Sequence, residues 1–176
     1  MNAKYALLDR LADAAGEIGH SCFHRKLRDA IAAHVKADLS MVMHYSRQDA
    51  PVYLTDDGLV REHMDLYLKG LYRIDPIYRL CRDGVSSGVL DLQEMSSPIA
   101  EAGNYFDIFL RMTGMADDLA ILLPLPDGGG SLGLVFERNR DSGRPKWRRC
   151  RASMPCSTAC TDYISDTVPS CPLPRR

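Results

Sequence analysis

No apolar run in this chain approaches the roughly 18 residues that a membrane-spanning helix needs, so no span is expected. An excess of either charge is missing too. The 22 Lys and Arg nearly cancel the 23 Asp and Glu, and bulk electrostatics points to no nucleic-acid partner. Met1 to Tyr5 lead into an amphipathic pattern with charges throughout, not into a signal peptide, and the expected location is the cytoplasm. Tryptophan is almost absent: the one copy is Trp147. Cysteine is scarce in the body of the chain, which holds Cys22 and Cys81, whereas Cys150, Cys156, Cys160 and Cys171 crowd the end. No Cys-x2-Cys pair occurs, so no structural-zinc pattern fits, and a cytosolic chain keeps these residues as thiols. His20 and His24 lie one helical turn apart, but no third ligand is placed beside them, and no metal is expected. No Ser, His and Asp stand in an elbow or triad context, so no enzyme is expected. No paired carboxylates stand out either, and Asp117-Asp118 reads as the start of a strand. Gly128-Gly129-Gly130 lacks the Lys-Ser/Thr of a phosphate loop and reads as a hairpin loop. No cofactor is expected.

What is present is a clear alternation of periodicities. Leu7, Leu8, Leu11, Ala14, Ala15 and Ile18 fall at helical spacing over residues 5–18. Ser21 can cap a second helix with the apolar face Phe23, Leu27, Ala30, Ile31 and Val35. Residues 39–45 read as a buried strand and 51–55 as a shorter one, with a turn or cap at Asp56-Asp57-Gly58. Residues 59–72 are helical, with Val60, Met64, Tyr67, Leu68 and Leu71 in register. Asp75 then caps a short helix opened by Pro76 and stopped by Asp83-Gly84. Residues 87–92 form a strand, and Ser96-Ser97-Pro98 opens a helical stretch through Tyr105, Phe106, Phe109, Leu110 and Met112 to Gly114. Residues 118–125 and 131–138 form a hairpin. This order predicts an α/β fold: an α–β–α sandwich with a five-stranded, mostly antiparallel sheet and helices on both faces.

The run from Tyr67 to Leu92, with Asp75-Pro76 between two amphipathic segments, carries most of the information. Read locally, Asp75 is an N-cap before a proline at the first helical position, which needs no ligand. In the order of its pieces, residues 5–143 resemble the ligand-sensing domain of LuxR-class bacterial regulators. These pieces are a sheet strand, a tyrosine-bearing helix, the Asp-Pro, a short strand, an aromatic helix and a hairpin. The resemblance implies a GAF/PAS-like sandwich that binds a small molecule. Asp75 would accept a hydrogen bond from the ligand amide and Tyr67 would donate to a ligand carbonyl. Members that bind acyl-homoserine lactones use two tryptophans around the lactone, and this region has none, so Tyr53, Tyr72 or Tyr78 would stack instead. The resemblance also implies a homodimer.

From Pro145 the periodicity ends. Arg, Ser, Pro and Cys dominate, and four prolines from Pro155 onward preclude a long helix. In the resembled regulators a Gly-Arg and an aromatic open the helix that leads to the DNA-binding helix-turn-helix. Here Gly143-Arg144 meets Pro145, as expected of a reading frame that shifts near codon 145. The chain therefore divides into a sensing domain, 1–143, and an irregular tail, 144–176, with no direct DNA binding. The rival reading is an interaction module whose pocket is filled by its own methionines and tyrosines. An enclosed cavity above roughly 300 Å³ would favour the sensor. A titratable residue strongly perturbed in a cleft would reopen an enzyme reading. Limited trypsinolysis is expected to cut at Lys146, Arg148, Arg149 and Arg151 and leave the body intact; a tail protected under native conditions would overturn this division.

Overall fold

The computed structural model describes residues 3–55, 61–92, 95, 105, 107–109 and 113–139. The turn expected at Asp56-Asp57-Gly58 and the tail 144–176 lie outside the described residues, as does most of the stretch expected from Ser96 to Gly114. Of that stretch, residues 105, 107–109, 113 and 114 are described, and all but Gly114 are helical.

Helix α1 (Ala3–Ala15) buries Leu7 and Ala14. Helix α2 (Phe23–Val35) buries Phe23, Leu27, Ala30 and Val35, the face that its apolar spacing predicts. The expected Ser21 cap is not made. The chain enters α2 through a tight turn in which the Phe23 amide donates to the His20 carbonyl and the Lys26 amide to that of Cys22. Backbone carbonyls thus take amides a cap side chain would have served, and Cys22 bonds to Glu17 through Sγ at 3.2 Å.

The sheet consists of β1 (Leu39–Tyr45), β2 (Val52–Tyr53), β3 (Gly88–Asp91), β4 (Met115–Pro124) and β5 (Ser131–Asn139), in the order β2-β1-β5-β4-β3. Every pairing is antiparallel. Strand β4 starts earlier than its apolar run suggests, with an irregularity between Met115 and Asp117. Because side chains alternate between faces, the central strands feed two cores. Val42, Leu119, Leu132, Leu134 and Phe136 pack with α1 and α2. Met41, Met43, Tyr45, Leu122 and Val135 pack on the other face. There they meet Met64 and Tyr67 of α3 (Arg61–Leu68), Ile77 and Tyr78 of α4 (Pro76–Arg82), and the helical residues Tyr105 and Phe109. The expected α–β–α sandwich is the architecture observed.

One glycine shapes the second core. A Cβ on Gly133 would stand 2.4 Å from the Tyr45 ring, so the bare backbone of β5 is what lets that ring lie across the sheet. Gly133→Ala is therefore expected to displace the ring and destabilise the domain by about 1–3 kcal/mol, the usual cost of overpacking. Urea unfolding checks this, and an unchanged midpoint would show that Tyr45 has room to move.

Candidate functional site

The site is built around the break between α3 and α4. Gly70, at φ 145°, leads α3 into a 3-10 turn, Leu71–Ile74. Asp75 follows in an extended conformation, as a residue before proline prefers, and Pro76 opens α4. The carboxylate of Asp75 is 2% exposed and divides its two oxygens. Oδ1 accepts the Ile77 amide at 2.7 Å, which is the N-cap bond. Oδ2 accepts the Tyr67 hydroxyl at 2.5 Å. One side chain thus serves as cap and as polar centre of the core. Burial pushes Asp75 up to about 6, against the pull of its bonds from Tyr67 and the backbone. Burial also drives the Tyr67 hydroxyl well above its ordinary range.

Asp75 and Tyr67 line a cavity between the sheet and α3. Met41, Met43 and Tyr45 of β1 form its floor with Val135 of β5, and Met64, Ile77 and Phe109 add apolar walls. The cavity holds about 20 Å³, room for about one water molecule, so it does not reach the ligand-sized volume set above. Its own side chains fill it. Tyr53 and Tyr72 are half-buried against the same core but do not line the cavity. The Tyr72 ring lies between Tyr67, at 6.2 Å, and Tyr78, at 5.2 Å. Tyr78 is buried and its hydroxyl donates to the Asp49 carbonyl at 3.0 Å. The aromatic residues that do reach the cavity, beside Tyr67, are Tyr45, Tyr105 and Phe109, and Tyr105 and Phe109 stack at 5.3 Å. Strand phase alone could have found Tyr45, which shares a face with Met41 and Met43.

A second polar centre overturns the expectation that no carboxylates pair. Asp118 of β4 stands directly opposite Glu137 of β5, and both line the cavity. They are 3% and 2% exposed, and neither Asp118 Oδ1 nor Glu137 Oε2 has a hydrogen-bond partner among the described residues. Burial pushes Glu137 up to about 7. Burial, then the neighbouring Glu137, drives Asp118 well above the usual carboxylate range. Two acids this close cannot both ionise in a low dielectric, so near neutrality the pair retains a proton. The described residues lining the cavity include no Lys, Arg or His. Among the described residues, no three His, Cys, Asp or Glu side chains are placed to hold a metal ion.

No family model and no curated protein matches the chain. Among solved structures it is similar to the crystal structure of the ligand-binding domain of VqsR, a LuxR-type regulator, from Pseudomonas aeruginosa. The likeness has a TM-score of 0.64 at 18% identity and covers 90% of this chain and 88% of that domain. The chain therefore has the fold of a LuxR-type ligand-binding domain, which is the fold that its sequence resemblance implies. No described helix is long and apolar enough to cross a membrane.

The buried acids set an unusual pH dependence. For Asp75, Asp118 and Glu137 the folded pKa lies above the unfolded one. Such groups add stability below the unfolded pKa, and that contribution is lost as pH rises through the folded value. For Glu137 the window runs from about 4.5 to about 7. The melting temperature is accordingly expected to be higher at pH 5 than at pH 8. Glu137→Gln should raise stability at pH 8 by on the order of 2 kcal/mol and flatten the profile. Melts of both proteins across this range decide it; a parent Tm that falls steadily from pH 8 to pH 5 is the contrary result.

Proposed function

We propose that this chain is the small-molecule-sensing domain of a LuxR-type transcription regulator, acting in the cytoplasm and as a homodimer. The observation that carries the reading is the Tyr67–Asp75 bond, buried at the edge of a cavity in a domain with this fold. A ligand amide inserted there would give its N–H to Asp75 and its carbonyl to the Tyr67 hydroxyl, replacing one internal hydrogen bond with two. Tyr53 and Tyr72 would then act behind Tyr67, as packing that holds its ring, while Tyr45 and Tyr105 would face the ligand. The GAF/PAS likeness belongs to the same reading, supported by the antiparallel five-stranded sheet with helices on both faces.

Signal transmission would be a population shift. A ligand that binds the open pocket better than the filled one favours the open form by that difference in affinity, and with it one dimer arrangement. The DNA-binding part of such a regulator would respond to that arrangement. Met41, Met43 and Met64 are suited to the change, because unbranched thioether side chains repack at low cost.

The small cavity volume favours a second reading, an interaction module closed by its own side chains. The strongly perturbed acids also meet the condition set for an enzyme. We propose no catalytic role: acids and tyrosines can exchange protons, but the closed cavity has room for about one water and none for a substrate beside them.

Two neutral amides, pentanamide and N-butanoyl-homoserine lactone, separate the readings. The sensor reading expects at least one of them to raise the melting temperature and to bind measurably by calorimetry. Asp75→Ala should then weaken that binding by roughly 1.5–3 kcal/mol, the worth of a hydrogen bond to a charged group. A pure cap would lose about 1 kcal/mol of stability on the same substitution and leave affinity alone. That second pattern, or no response to either of these amides or to a cationic amide of the same length, would sink the sensor assignment of Asp75.

A further inference from the structure

We infer that the cavity, once opened from its present one-water volume as the sensing reading requires, takes a small organic cation, an ammonium or guanidinium group on a short apolar stem, with its head group held by Asp118 and Glu137. The inference rests on the sensing reading and names the chemical class of its ligand. Asp118 Oδ1 and Glu137 Oε2 are buried acceptors that meet no donor among the described residues, and both residues line the cavity. Buried carboxylates ordinarily face a Lys or Arg, since an unpaired buried charge is costly. Here the described lining supplies none, so what the site lacks is N–H donors and positive charge. An ammonium brings three donors and a guanidinium a planar fork, either of which can span two carboxylates across adjacent strands. The tyrosine rings around the cavity also suit a cation, which is attracted to an aromatic face. A lactone or acyl chain offers neither charge nor enough donors. The cationic head and the amide expected at Asp75 can belong to one molecule, because all three acids line the same space.

The acids are also a proton switch for such a ligand. The titratable groups that share the cavity with the pair are Asp75, Tyr45, Tyr67 and Tyr105, while Asp91 and Asp117 add repulsion to Asp118. Asp75, Asp91 and Asp117 favour the retained proton in the empty site. A bound cation reverses that balance, and the proton leaves as the ligand enters.

The test uses the full chain and two isosteres, 4-aminobutanamide and pentanamide, which differ only in an ammonium for a methyl. Calorimetry at pH 7.5 is expected to show the ammonium compound binding at least tenfold tighter. Repeating the titration in buffers of different ionisation enthalpy should show proton release. At pH 5.5 the advantage should shrink, as protonated acids no longer attract the cation. Asp118→Asn with Glu137→Gln should abolish it while preserving pentanamide affinity; the comparison and proton release on the parent chain stand even where that variant does not fold. Equal affinities, or a gap that survives the double substitution in folded protein, overturn the cation and leave sensing intact. Binding of neither isostere also overturns the cation. Sensing falls with it only if N-butanoyl-homoserine lactone leaves the melting temperature unmoved as well.

Discussion

Strand β5 is paired along both edges and covered on both faces, and the rest of the domain is arranged by that constraint. Every residue from 131 to 138 is buried, so the alternation of its side chains decides what each face contains. Leu132, Leu134 and Phe136 serve the core under α1 and α2. Gly133, Val135 and Glu137 face the other way, toward α3, α4 and the cavity. A slip of one residue would exchange Phe136 for Glu137 and put a carboxylate among the apolar side chains under α1 and α2. Register on both edges is thereby held by chemistry as well as by hydrogen bonds.

The two polar centres differ in a way that bears on function. Asp75 is satisfied by the molecule itself, since a tyrosine and a backbone amide saturate its two oxygens. It stabilises the start of α4 and ties that helix to α3. Asp118 and Glu137 are placed by sheet register, and each has a buried oxygen that meets no donor among the described residues. Folded domains keep such local conflicts mainly where function requires them. The contrast suggests a division of labour in the cavity, with a self-satisfied end that fixes the scaffold and an unsatisfied end that awaits a partner.

The elements were largely legible in the sequence because each is written in local terms. The helical stripes of α1 and α2, the apolar run of β1, the Asp-Pro cap of α4 and the glycine-rich hairpin loop all depend on residues within a few positions of one another. Errors occurred where a neighbouring backbone intervened. Ser21 is not a cap, because the turn before α2 supplies carbonyls for its amides. Strand β4 extends back to Met115, because β5 offers partners for it as far as Asn139. At the site, Asp75 and Tyr67 could be singled out from the Asp-Pro signal and the helix before it. Tyr53 and Tyr72, the stand-ins for the tryptophans of the resembled regulators, pack against the core without lining the cavity.

By itself the sequence determined the class of the fold, the order of its elements and the break at Asp75-Pro76, since periodicity and turn chemistry are short-range properties of the chain. Only the tertiary structure decided that the Asp75 carboxylate meets the Tyr67 hydroxyl, that Tyr45 lies over Gly133, and that the cavity is filled by methionines. It alone also revealed the opposed acids. Asp118 and Glu137 become neighbours through the register of β4 on β5, a long-range pairing that neither residue's local surroundings encode.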